Sequence, residues 1–181
     1  MFIIEQIKLI KAFFCTVNEN AVARLLIQNG KTLAIAESCT GGLLSSLMTD
    51  ISGSSAFIKA NFVTYANEAK MKYLNVNAQT LENHGAVSAQ TAEEMVKGLL
   101  SETGCDYAIA TTGIAGPSGG TKEKPVGLVY IGIGTKDKFS IIKYNVCSNY
   151  QRLLIKYCFA KEAIRNLYKF IKENEKWRQS H

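Results

Sequence analysis

Two glycine-rich segments, ESCTGG at residues 37–42 and TTGIAGPSGGT at residues 111–121, bring together the side chains best suited to chemistry. Each follows a short apolar run of strand character, TLAIA in one case and DYAIATT in the other. In open α/β sheets ligands bind at the carboxyl ends of strands, which is where both segments would lie. In the first, the hydroxyls of Ser38 and Thr40 sit where a strand turns into a helix. Backbone N–H groups around Cys39, Gly41 and Gly42 can there hold an anion or a developing oxyanion. The plainer alternative is a Ser or Thr helix cap with glycines for close packing. The second segment offers Thr111, Thr112, Ser118 and Thr121 among the glycines 113, 116, 119 and 120, a composition that can turn several N–H groups toward a phosphate. Neither G-x-x-x-x-G-K-[ST] nor G-x-G-x-x-G can be fitted to it. G-I-A-G matches the short G-x-x-G of a KH-type clamp, a pattern that an ordinary surface turn also satisfies.

A serine nucleophile needs a base, and histidine is scarce: His84 and His181 are the only two. A multi-histidine zinc site is thereby excluded, and a Ser-His-Asp triad would have to use His84, which lies in the turn-like ENHGAV. Lysine or tyrosine remains. Lysine acts as a base only when burial or a neighbouring cation lowers its pKa from the usual ~10.4. Tyr65 ends a strand-like run and Lys70 falls one turn into the next helix, so both can face one strand end. Their spacing is not Y-x-x-x-K, and on spacing alone Tyr65 reads as a packing residue and Lys70 as a solvated helix charge. Cys39 is a rival nucleophile beside Ser38, although a small buried thiol is the commoner role.

The elements that must position these groups follow from periodicity and punctuation. Helices are expected over 19–29, from the glycines at 41–42 through LLSSLM, over NEAKMKYL, and over AQTAEEMVKGLLSE between a Ser88 cap and Gly104. Strands are expected at TLAIA, FIKANFVTY, DYAIATT, VGLVYIGIGT and KFSIIKYNV, the last two forming a hairpin. A basic amphipathic helix from about Asn149 to Asn174 closes the chain. The result is a single layered α/β domain with a mixed β-sheet flanked by helices. It occupies residues 19–181, preceded by an amphipathic helical extension over residues 1–18. Glu5, Lys8 and Lys11 interrupt that extension well short of the ~20 apolar residues of a spanning helix, so no membrane association is expected. With 181 residues, 47% of them apolar, the composition is that of a globular domain. Five cysteines without a C-x-x-C pair point to reduced thiols and a cytoplasmic setting. Of the net charge of +6, residues 136–181 hold 11 basic against 4 acidic side chains, whereas residues 1–135 hold 10 against 11. That asymmetry motivates an alternative from another class, a non-catalytic nucleotide or nucleic-acid binding module, although a basic helix face is more often simply solvated.

The ordered set AESCTGG, TYANEAKMKYL, GAVSAQTAEEM and TTGIAGPSGGTKEKPVGLVYIG, running from Leu33 to Gly132, resembles the CinA C-terminal domain family, the nicotinamide-nucleotide amidohydrolases. RLLIK at 152–156 resembles that family's R-x-x-I-R, with Lys156 in place of the second arginine. Asn75 stands where the family usually has Gly. Larger members carry a separate N-terminal domain, for which 181 residues leave no room. The resemblance implies hydrolysis of the carboxamide of nicotinamide mononucleotide without metal or cofactor. Ser38 is then the nucleophile, with Tyr65 and Lys70 completing the proton-transfer group. Thr40, Gly41 and Gly42 would bind substrate at one loop. Thr111, Thr112, Gly113, Gly116, Ser118 and Gly119 would do so at the other, with Arg152 reaching the phosphate. A small nucleotide is the expected partner, nucleic acid is not, and the chain is expected to form a homo-oligomer.

Overall fold

The run Leu33–Glu37 is apolar until its last residue, and a segment apolar on both faces of a strand can be accommodated only inside a sheet covered on both sides. It forms the fully buried strand β1 of the computed structural model, which describes residues 18–179. Strand β2 (Ile58–Val63) flanks it on one side and β3 (Tyr107–Gly113) on the other. Strands β4 (Leu128–Gly134) and β5 (Phe139–Asn145) complete a five-stranded sheet in the order β2-β1-β3-β4-β5. Pairing is parallel across β2, β1 and β3, with Glu37 level with Val63 and with Thr111. It is antiparallel from β3 to β4 and from β4 to β5, the expected hairpin. The carboxyl ends of β1, β2 and β3 therefore lie side by side, and both glycine-rich segments leave from that edge.

Strand alternation sends Leu33, Ile35, Tyr107 and Ile109 to one face, against helices α1 (Glu19–Gln28), α2 (Leu43–Thr49) and α6 (Arg152–Gln179). Ala34, Ala36, Ala108 and Ala110 face the other way, toward α3 (Asn67–Leu74) and α5 (Ala89–Thr103) through Leu74, Met95, Val96 and Leu99. The alanine face lets α5 approach the sheet closely. The crossing of α3 over α5 is closer still: a Cβ on Gly98 would lie 1.7 Å from the Leu74 carbonyl oxygen. The caps follow the sequence reading, since Ser88 Oγ accepts from the N–H of Thr91 and α5 ends on Gly104 in the left-handed conformation.

One element differs from expectation. The first half of ENHGAV, read as turn-like around His84, instead ends a short helix α4 (Ala78–His84). Its stability is not local: Asn77 caps it, and Glu94 of α5 accepts hydrogen bonds from Asn77 N–H and Thr80 Oγ1. Asn75 ends α3 with φ 54°, a left-handed geometry that asparagine tolerates and glycine would otherwise supply. The expected extension over residues 1–18 lies, apart from Asn18 at the cap of α1, outside the described residues. No helix among the described residues is long and apolar enough to cross a membrane.

Candidate active site

Ser38 follows β1 directly, and its N–H donates to the Thr111 carbonyl at 3.0 Å, which carries the parallel ladder one residue past the strand. The chain then turns on Gly41 and Gly42 with φ of 60° and 93°, a region that favours glycine, before entering α2. The turn is clamped by a residue that sequence reasoning passed over. Glu37 is fully buried, and its carboxylate accepts from Gly42 N–H at 3.0 Å, Leu44 N–H at 3.0 Å and Ser45 N–H at 2.7 Å, as well as from Ser45 Oγ. A carboxylate therefore caps α2, and Ser38 is not the helix cap. Gly41 N–H is engaged by the Ser38 carbonyl. Of the expected oxyanion donors at 39–42, only the N–H groups of Cys39 and Thr40 are left unengaged by other residues among those described. The signal for Glu37 was present in the sequence, as a lone carboxylate closing an otherwise apolar strand.

Lys70 reaches Ser38 from α3. The side chain is 1% exposed, and its Nζ lies 3.1 Å from Ser38 Oγ, 2.9 Å from the Thr64 carbonyl oxygen and 3.2 Å from the Tyr65 carbonyl oxygen. Burial lowers the Lys70 pKa from the usual 10.5, an effect that nearby Cys39 and Glu68 oppose. The geometry adds direction. Carbonyls can only accept, so they fix two N–H bonds of the nitrogen, and the remaining tetrahedral positions include the one facing Ser38. When the amine is neutral, its lone pair takes that position. Ser38 itself is 9% exposed.

The coupling expected between Lys70 and Tyr65 runs through the tyrosine carbonyl. The phenol turns outward, is 61% exposed, and accepts from Arg152 Nη2 at 2.9 Å. Arg152, the first residue of α6, also donates through Nη1 to the Gly116 carbonyl at 2.6 Å, so it reaches the second loop as expected. At the start of that loop the hydroxyls of Thr111 and Thr112 are engaged inside the fold. Thr111 Oγ1 pairs with Thr40 Oγ1 at 2.8 Å, and Thr112 Oγ1 donates to the Ala86 carbonyl at 2.6 Å. Gly113 packs so tightly on β4 that a Cβ would lie 2.5 Å from the Leu128 carbonyl. Gly116 and Gly119 turn the loop with φ of 70° and 86°; Gly116 is buried, and Ser118 and Gly119 are exposed at the rim. Thr40, Thr111, Thr112 and Gly113 thus hold the two loops together, the buried Gly116 anchors Arg152 through its carbonyl, and Ser118, Gly119 and Arg152 are exposed.

The rival groups are placed elsewhere. Cys39 is 4% exposed within the apolar core, and burial pushes its thiol up to about 12, so it carries negligible thiolate at neutral pH. His84 is exposed at the end of α4, its carbonyl accepting from Lys124. No group of three or more His, Cys, Asp or Glu among the described residues is placed to hold a metal ion.

The sequence and the fold have counterparts among known proteins. The chain is 54% identical over 126 residues to a CinA-like protein of Endomicrobium trichonymphae, covering 70% of this chain and 29% of that one. It is 48% identical over 151 residues to a CinA-like protein of Desulforapulum autotrophicum, covering 83% and 36%. The chain thus spans about a third of the length of the curated relatives it matches. The crystal structure of the competence/damage inducible protein CihA from Agrobacterium tumefaciens superposes with a TM-score of 0.78 at 38% identity, covering 83% of this chain and 93% of that one. A CinA superfamily protein from Escherichia coli gives 0.80 at 32% identity, covering 84% and 87%. The CinA C-terminal domain model matches residues 16–171, taking in the serine turn, the buried lysine, the second loop and the arginine that braces it, and the chain belongs to that family.

Proposed function

We propose that the protein hydrolyses the carboxamide of nicotinamide mononucleotide, giving nicotinic acid mononucleotide and ammonia, through a serine nucleophile and a lysine base. The observation that carries the reaction type is the buried Lys70 nitrogen, 3.1 Å from Ser38 Oγ and otherwise bonded only to carbonyl oxygens. The substrate follows from the motif resemblance to the nicotinamide-nucleotide amidohydrolases.

In this reading Ser38 Oγ attacks the carboxamide carbon as its proton passes to the neutral Lys70 amine. The oxyanion of the tetrahedral intermediate meets the N–H groups of Cys39 and Thr40. Lys70, now an ammonium, returns the proton to the amide nitrogen as the C–N bond breaks, which releases ammonia and leaves an ester on Ser38. Water, deprotonated by Lys70, attacks that ester, and the proton goes back to Ser38 Oγ as the carboxylate leaves. The rest of the nucleotide extends toward the rim formed by Ser118, Gly119, Tyr65 and Arg152. Thr40, Thr111 and Thr112 act on substrate indirectly, by holding the two loops in register. Part of the basic α6 is paired within the chain, Lys161 buried against Glu19 and Arg165 at the surface with Glu162, which reduces the unpaired charge that a nucleic-acid interface would need.

The test is ammonia release from nicotinamide mononucleotide by the purified protein with chelator present, and its loss in Ser38→Ala. Turnover retained by a folded Ser38→Ala protein refutes the nucleophile. No release by the unaltered protein refutes the activity.

A further inference from the structure

We infer that Lys156 binds the phosphate monoester of the substrate and that Arg152 serves chiefly as a brace, an inference that rests on the nucleotide reading above. Arg152 and Lys156 are one helical turn apart near the start of α6, so their side chains leave the same face of the helix. Their surroundings differ. The Arg152 guanidinium already donates to the Gly116 carbonyl and to Tyr65 Oη, contacts that tie together α6, the second loop and the end of β2. Lys156 is half-buried and has no acceptor among the described residues. Its Nζ stands over the serine turn, 3.2 Å from where a Cβ of Gly41 would be. An ammonium partly withdrawn from water and lacking a counter-charge favours an anion beside it.

From Gly41 to Ser45 the turn beneath it has its N–H groups already engaged, and those of Cys39 and Thr40 are assigned above to the oxyanion. The N–H groups of Gly42, Leu44 and Ser45 are engaged by the buried Glu37 carboxylate, whose own charge repels a dianion. A phosphate near Gly41 must therefore be neutralised by a side chain, and Lys156 is the cation placed to do so. Gly41 contributes by having no Cβ, which keeps the space between turn and ammonium open. Gly41 is three residues from Ser38, so the charge sits within the span of one small substrate. Lysine at this position supplies a point charge to the phosphate.

The experiment compares the unaltered protein with Lys156→Met and Lys156→Arg on nicotinamide mononucleotide and on its phosphate-free riboside. Losing a charge-assisted bond should raise KM for the nucleotide in Lys156→Met by about tenfold or more with kcat little changed. The riboside kcat/KM should stay within about twofold, and Lys156→Arg should recover the nucleotide KM to within a few-fold. Equal effects on both substrates, or none on either, overturn the inference. Calorimetric binding of nicotinic acid mononucleotide keeps this separate from the activity. If the unaltered protein binds it but hydrolyses nothing, the deamidase reading fails, and a Kd weakened about tenfold in Lys156→Met still supports the phosphate site. An unchanged Kd in the variant, or no binding by the unaltered protein, overturns it.

Discussion

Replacing Lys70 by Met removes the amine but keeps most of the buried stem, and the structure sets what should follow. Without the base, Ser38 must lose its proton to water. Loss of a positioned general base lowers kcat by roughly 10²–10⁴, equivalent to about 2.7–5.5 kcal/mol of barrier. Stability responds differently. The carbonyls of Thr64 and Tyr65 lose a donor, at roughly 1–3 kcal/mol for each buried group left unpaired. Relief from holding an ionisable nitrogen at 1% exposure offsets part of that, so the variant should fold. The pH dependence separates the two effects. Because burial depresses the Lys70 pKa below 10.5, the fraction of neutral base, and with it the rate, should rise with pH and level off before the ordinary lysine range. For stability the sign is fixed by proton counting. Between the lowered folded pKa and 10.5 the unfolded chain holds a proton that the native state lacks, so stability rises with pH across that window. Below the window both states are protonated and the native protein carries the full burial penalty; above it the penalty is gone. Stability of the unaltered protein minus that of Lys70→Met, from urea unfolding at several pH values, should therefore climb with pH. Turnover of Lys70→Met within tenfold of the unaltered protein refutes the base, as does a rate that rises only through 10.5. A flat stability difference refutes the depressed pKa.

Cys39→Ala should stay active, and Cys39 should resist alkylation at neutral pH in the folded protein because its thiol is buried and pushed up to about 12; rapid labelling that tracks loss of activity would reinstate it as a nucleophile. Gly98→Ala should lower the melting temperature sharply, because a Cβ 1.7 Å from the Leu74 carbonyl forces two backbones apart. A cost of about 2 kcal/mol or more is expected despite the ~1 kcal/mol helix-propensity gain of alanine over glycine. An unchanged melting curve would show that α3 and α5 can slide past each other.

Much of this architecture was legible because its causes are local. Apolar runs bounded by glycine gave the strands, Ser88 and Gly104 bounded α5, and a short connection between two strand-like runs gave the β4–β5 hairpin. Helix α4 was missed because Glu94, far along the chain, satisfies its first turn. The site divides the same way. Its glycine-rich loops announced themselves by composition, whereas spacing alone made Lys70 a solvated helix charge. What sets Lys70 apart is the Thr64 and Tyr65 carbonyls and Ser38, gathered only when β1, β2 and α3 pack. Glu37 escaped for a related reason: a carboxylate at a strand end reads as exposed until the helix whose amides it accepts is folded over it. Tyr65 shows the converse, since its side chain stands out in the sequence while its carbonyl touches the base.

The two halves of the proposed Ser38–Lys70 pair differ in how they can be lost by mutation. Lys70 is oriented by peptide oxygens, which no codon change elsewhere in the gene deletes, so residues 64 and 65 can drift in identity without unseating it. The serine turn hangs instead on one side chain, Glu37, and a single substitution there frees three amides at once. If the proposed hydrolysis holds, descendants that abandon it while keeping the fold should show their first changes at positions 37, 38 and 70, with the sheet and its glycines untouched. Variation at those three positions in a lineage would date the loss of chemistry separately from any loss of structure.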